Sequence, residues 1–321
     1  MKVLIAFIRL VRWPNLFFIM LTQTLYYFFL FRPLLNDDGA VEFYFKGERM
    51  GLFGLLMLAS VLIAAGGYII NDYFDLKIDR INKPTKVVVD KIIKRRWVIL
   101  WHGIFSTTGV LLSFYISHRT ENYFIGFGNT ICVIALWLYS TTFKKKILSG
   151  NLLIAALTAW VIFVIYFFVG GNLVSYKGWI SGLHPFDAPG LYKLTMLYAS
   201  FAFVLTIVRE VIKDLEDILG DAEFGCRTMP IVWGVTASKV FVAVWMVVLM
   251  VAAAFSGIYA FQSGWRPGAI YVFVGILFPM LVFMKRLNKA RLPADFHKLS
   301  SLIKWIMMLG ILSMVFFLRI K

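Results

Sequence analysis

Apolar residues run along this chain in long stretches, with charged residues confined to short connections between them. A run of about 20 apolar residues crosses the hydrocarbon core of a bilayer as a helix. Such runs recur at roughly 3–31, 51–77, 97–116, 122–142, 151–171, 191–217, 238–261, 268–284 and 301–319. Only a helix satisfies its own backbone within lipid over such lengths. The pattern therefore predicts an all-α, polytopic membrane protein with nine transmembrane helices. The eighth run is short and contains Pro279, a residue that removes one helical donor. The connections are too short to fold alone, so residues 1–321 are read as a single integral-membrane domain. No small-residue cleavage pattern follows the first run, which is read as a retained helix rather than a signal peptide.

Composition agrees with that reading. The chain is 60% hydrophobic, against roughly 45–50% apolar residues in soluble domains, and its mean hydropathy is +0.80. A net charge of +16 would suit nucleic acid, but the basic residues sit in short loops between spans and form no separate basic domain. With the N-terminus in the cytoplasm, 24 of the 33 Lys and Arg fall on the cytoplasmic side, a positive-inside distribution. The expected location is the cell inner membrane, with membrane lipid around the chain and no protein partner implied. A basic rim also attracts anionic headgroups and an anionic substrate. Two cysteines, Cys132 and Cys226, give no disulfide framework, and four scattered histidines give no metal-ligand spacing.

The acidic residues change the picture. Nine of the 17 Asp and Glu lie in two short segments, each closing a predicted span. Asp72, Asp75 and Asp79 recur at the spacing of Asp214, Asp217 and Asp221. At about 100° per residue, each trio falls within about 60° on one helix face. Asn71 adds an amide oxygen to the first trio, and Glu210 stands one turn before the second. Both trios follow even-numbered spans, so both are expected on the cytoplasmic side. They lie 142 residues and four spans apart, which makes the repeat parallel. Six carboxylates crowded together would repel one another. Divalent cations relieve that repulsion, and Mg2+ takes one or two carboxylates together with substrate phosphates. The plainer alternative is that the acids are solvated helix ends paired with Lys77, Arg80, Arg209 and Lys213. Lys83, Lys144 and Arg227, near the same predicted face, are candidates for a diphosphate whose negative charge grows as it leaves.

These motifs resemble those of the UbiA-type intramembrane prenyltransferases over nearly the whole chain. Asn71, Asp72, Asp75 and Asp79 match the family's N-D-x-x-D-x-x-x-D, and Asp217 with Asp221 matches its D-x-x-x-D. Tyr139, Ser140 and Lys144, followed by Gly150 and Asn151, match a Y-S-x-x-x-K…G-N segment, and Arg12, Pro14 and Asn15 match the opening R-P pattern loosely. One departure is Asn82-Lys83-Pro84 where the family commonly has N-R-P, which keeps the charge but loses the guanidinium fork. The resemblance implies nine helices around a central cavity with a cytoplasmic cap. It also implies two Mg2+ ions bridging Asp72, Asp75, Asp79, Asp217 and Asp221 to a prenyl diphosphate, with Asp214 alongside. Asn71, Lys83, Tyr139, Lys144, Lys213, Arg227, Arg12 and Asn15 are then substrate-binding candidates. The substrates implied are a prenyl diphosphate and a lipophilic acceptor.

The acidic strings look most like the branch that geranylgeranylates geranylgeranylglyceryl phosphate for ether lipids. An aromatic prenyltransferase of quinone synthesis, acting on 4-hydroxybenzoate or dihydroxynaphthoate, is the alternative. A cation-coupled transporter is the alternative of another class; it predicts acids near mid-span, whereas these cluster at span ends.

Overall fold

The computed structural model describes residues 2–35, 38–82, 88–170 and 188–319. Among them every regular element is helical, and an isolated bridge joins Val89 and Ile93. Among the described residues, nine helical stretches are long and apolar enough to cross a membrane: Trp13–Leu34, Gly47–Phe74, Arg95–Thr120, Tyr123–Thr141, Ser149–Gly170, Pro189–Glu216, Met229–Gln262, Arg266–Lys289 and Pro293–Phe317. Each coincides with one of the nine apolar runs.

Prolines account for the main departures from the sequence pattern. The first run does not form one helix from residue 3. A short helix α1 (Lys2–Leu10) is followed by a break, and α2 (Trp13–Leu25) starts afresh. Pro14 lies in the first turn of α2 and has no N–H to give the Leu10 carbonyl, so α1 cannot run on into α2. Arg12 makes the turn in the left-handed region, at φ 51 and ψ 53. The eighth span shows the same physics at Pro279. α12 (Arg266–Tyr271) widens into a π-helical turn over Val272–Leu277 before α13 (Phe278–Lys289) resumes. A π turn displaces the carbonyl that the proline ring would strike.

The chain forms two compact units. The first comprises residues 1–141 and 160–197. Its principal helices are α4 (Gly47–Phe74), α6 (Arg95–Thr120) and α7 (Tyr123–Thr141), with α3 (Asp38–Phe45) and α5 (Leu76–Asn82) on either side of α4 in the chain. α4 and α6 meet through small residues. A Cβ on Gly66 would lie 2.7 Å from Ser106 Oγ, and one on Gly109 would lie 2.7 Å from the Ile63 side chain. His102 Nδ1 bridges to the Gly66 carbonyl at 2.9 Å. Close backbones and side-chain hydrogen bonds are what bring helices together in lipid.

The second unit comprises residues 142–159 and 198–321. It includes α8 from Ser149 and α9 from Tyr198; these helices span Ser149–Gly170 and Ala188–Glu216 as a whole. It continues through α10 (Ile218–Glu223), α11 (Met229–Gln262), α12, α13 and α14 (Pro293–Leu312). Val208, Ile212, Met246, Met280, Phe283 and Ile303 form the middle of its core. α11 bends at Gly234, whose φ of 86 and ψ of 162 only glycine adopts without strain. Large apolar side chains such as Leu111, Phe255 and Trp305 remain exposed, as lipid-facing positions do.

Candidate active site

Both acidic trios sit at the C-terminal end of a span, and both straddle a helix junction rather than a straight helix face. α4 ends at Phe74 and α5 begins at Leu76, leaving Asp75 between them at φ −81 and ψ −4. α9 ends at Glu216 and α10 begins at Ile218, leaving Asp217 between them at φ −96 and ψ 8. These dihedrals lie near the sparsely populated bridge region where many active-site residues are found. The backbone ladder nevertheless continues. Asp75 N donates to the Asn71 carbonyl at 2.9 Å and Asp79 N to the Asp75 carbonyl at 2.8 Å. In the second trio Asp217 N donates to the Lys213 carbonyl at 2.9 Å and Asp221 N to the Asp217 carbonyl at 3.1 Å. The middle aspartate of each trio therefore occupies the same local bend.

In the first unit, Asp72 is half-buried and accepts Arg12 Nη2 at 2.6 Å. The Arg12 guanidinium also lies 5.2 Å from the centroid of the Tyr68 ring. Burial works against the Arg12 charge, but Asp72, Tyr68 and Asp75 outweigh it and hold the guanidinium above its ordinary range. Asp75 is buried and accepts Asn71 Nδ2 at 2.5 Å. Asn71 Oδ1 is buried and makes no hydrogen bond, so a strong acceptor is left aimed beside a carboxylate. Asp79 is half-buried on α5. Asn15 lies in the first turn of α2, its backbone N–H donating to the Arg12 carbonyl at 2.8 Å. Tyr139 is half-buried near the end of α7. Lys83 lies outside the described residues.

In the second unit, five charged residues sort themselves along α9. Glu210 is buried and accepts both Arg209 Nη1 at 2.9 Å and Lys213 Nζ at 2.8 Å. Asp214 accepts Asn151 Nδ2 at 2.9 Å. Glu216 meets His297 Nδ1 at 2.8 Å. The pairing that the plainer alternative assigns to Arg209 and Lys213 is thus made with Glu210, and Arg80 pairs with Asp90 at 3.8 Å. Asp221 is buried and Asp217 half-buried.

The basic segment is assembled from two stretches. Arg227 is exposed, and its backbone amide donates to the Lys145 carbonyl at 2.8 Å, which brings it beside the turn carrying Lys144. Gly150 permits this packing, since a Cβ there would come within 2.9 Å of the Phe143 carbonyl. Asn151, the next residue, then faces Asp214. The spacing of Gly150 and Asn151 after Lys144 marks this corner, yet an uncharged amide carries no signal of its carboxylate partner. Thr228, at the N-terminus of α11, has a buried hydroxyl with no hydrogen-bond partner, and nothing in its local sequence announces it.

The donors fit a hard cation. They are carboxylate and amide oxygens, the ligand class Mg2+ prefers, and Asn71 Oδ1 is unspent. Among the described residues, no three His, Cys, Asp or Glu side chains stand close enough to hold a metal by themselves.

Residues 41–306 match the model of the UbiA prenyltransferase family. The chain belongs to that family. Among similar curated proteins, the digeranylgeranylglyceryl phosphate synthase of Methanosphaera stadtmanae is 34% identical over 57% of this chain and 58% of its own length. That of Thermococcus sibiricus is 27% identical over 62% of each chain. The synthase of Sulfurisphaera tokodaii is 27% identical over 78% of this chain and 82% of its own. The chain thus spans about six-tenths of the length of the first two relatives. Solved structures share the fold. A digeranylgeranylglyceryl phosphate synthase gives a TM-score of 0.61 at 21% identity, covering 98% of both chains. A UbiA homologue from Archaeoglobus fulgidus, bound to DMAPP and Mg2+, gives 0.56 at 14% identity, covering 95% of this chain and 98% of its own. These UbiA-family relationships agree with the family expected from the motifs.

Proposed function

We propose that this protein transfers a prenyl group, geranylgeranyl by preference, from its diphosphate to geranylgeranylglyceryl phosphate, with the active site on the cytoplasmic side of the cell inner membrane. The observation that carries the reading is the repeated bend: two aspartate trios at matched spacing, each with its middle member at a helix junction. The family match supports prenyl transfer. The relatives' names support the acceptor, and solved homologues bound to DMAPP or GPP with Mg2+ support the donor and cofactor.

Two Mg2+ ions, held by Asp72, Asp75, Asp79, Asp217 and Asp221 with Asn71, would neutralise the diphosphate and stabilise it as a leaving group. Lys83, Lys144 and Arg227 meet the charge that develops on the diphosphate as the C–O bond breaks. Asn15, Tyr139 and Lys213 complete the substrate contacts. The allylic cation is trapped by the acceptor hydroxyl, which loses its proton, and the apolar surroundings keep water from capturing the cation. A phosphorylated acceptor suits the cationic excess of that side, where 24 of 33 Lys and Arg are placed by the charge pattern.

The test is incubation of the purified protein with labelled geranylgeranyl and farnesyl diphosphates. The acceptors are geranylgeranylglyceryl phosphate, 4-hydroxybenzoate and dihydroxynaphthoate. The expected product is the doubly prenylated glyceryl phosphate, formed faster from the geranylgeranyl donor. An exclusively aromatic product overturns the acceptor assignment.

A further inference from the structure

The first aspartate of each trio is held by a side chain from the start of the preceding span. Arg12, just before α2, binds Asp72 at the end of α4, and Asn151, at the start of α8, binds Asp214 at the end of α9. The sequence separations are 60 and 63 residues. The two units thus repeat one clasp with different chemistry, charged in the first and neutral in the second. A cation approaching Asp72 meets a guanidinium already bonded to the carboxylate oxygen at 2.6 Å. One approaching Asp214 meets a neutral amide on the carboxylate, with the nearby Lys213 already paired to Glu210.

We infer that Arg12 is a positioning residue that couples metal loading to diphosphate binding. It serves as the built-in counter-ion of Asp72, and an arriving diphosphate draws it away. Like charges close together repel strongly where water is scarce, so a divalent ion gains little at Asp72 until the Arg12 charge has another partner. The oxygens of a diphosphate are such a partner for a guanidinium. The Arg12 side chain remains about a third exposed, so it is not sealed from one. Asn151 makes no equivalent demand on the second unit. The inference rests on the metal–diphosphate reading above, and it adds an order: metal affinity in the first unit rises with the anion.

The substitution that tests it is Arg12→Asn, which copies the clasp of the second unit. The backbone favours the change, because Arg12 sits at φ 51 and asparagine is among the few residues that tolerate that region. Mn2+ binding to the full chain in detergent, followed by the electron paramagnetic resonance of the free ion, reads affinity without turnover. Inorganic diphosphate is the anion, and the Mn2+ it captures without protein is measured and subtracted. Wild type should bind Mn2+ about tenfold tighter with diphosphate than without, an ordinary size for coupling between two ligands. Arg12→Asn should bind Mn2+ alone about tenfold tighter than wild type and gain little from diphosphate, whereas Arg12→Lys should restore the coupling. Coupling in wild type that persists unchanged in Arg12→Asn overturns the role of Arg12 and leaves the metal–diphosphate reading standing. A wild type that binds no Mn2+ with or without diphosphate overturns both.

Discussion

At the scale of single residues, the chemistry rests on where each carboxylate stands. Asp214 and Glu210 are bound by Asn151, Arg209 and Lys213, whereas Asp75 and Asp217 stand at the two bends. Asp75→Asn and Asp217→Asn keep the shape and remove a ligand charge, so each should lower kcat by at least about a hundredfold with unfolding temperature preserved. Wild-type turnover in either variant would remove the metal site from the mechanism. Asn151→Ala should act differently. It strips Asp214 of its amide donor and costs about 1–3 kcal/mol, read as a lower unfolding temperature in detergent. The trios were legible in the sequence because carboxylates are costly beside a bilayer and their spacing repeats. The clasps were not, since Arg12 and Asn151 lie 60 and 63 residues from their partners and periodicity says nothing about contacts at that range.

At the scale of elements, apolar length predicted all nine spans because a bilayer imposes one dimension on every crossing helix. It did not predict the bends. Asp75 and Asp217 leave helical geometry for one residue while the backbone ladder runs on through them, so the apolar and polar positions keep their helical period. Nor did length reveal the break at Arg12, because residues 3–31 read as one apolar run and a single missing donor at Pro14 decides the matter. Packing within the first unit depends on small residues at the α4–α6 contact. Gly66→Leu would drive a side chain into Ser106, which lies 2.7 Å from the Cβ position. Overpacking of this kind costs about 1–3 kcal/mol or more, and the variant should lose activity on heating well before wild type. Unchanged thermal inactivation would show that α4 and α6 are not held at this distance.

At the scale of the whole molecule, orientation and metal dependence follow from charge. The orientation proposed from the positive-inside distribution puts Lys146 in the cytoplasm and Glu121 on the opposite side. In a chain with Cys132 and Cys226 replaced by serine, Glu121→Cys should react with an impermeant maleimide in right-side-out vesicles, and Lys146→Cys should react only after permeabilisation. The reverse pattern would invert the topology and put the acidic motifs on the other face. The parallel repeat carries the remaining consequence. Two trios made of oxygen donors have no soft or nitrogen ligand to select Zn2+, and small, octahedral Mg2+ suits a site completed by phosphate oxygens better than Ca2+, which takes six to eight ligands. Dialysis against EDTA should therefore abolish turnover, Mg2+ should restore it, and Ca2+ should restore it poorly. Binding linkage adds a readout that needs no catalysis. Mg2+ and inorganic diphosphate together at about a hundred times their dissociation constant should stabilise the fold by about 2.7 kcal/mol or more, seen as an unfolding temperature raised further than either ligand raises it alone. Full turnover in EDTA would return the trios to the role of solvated helix ends.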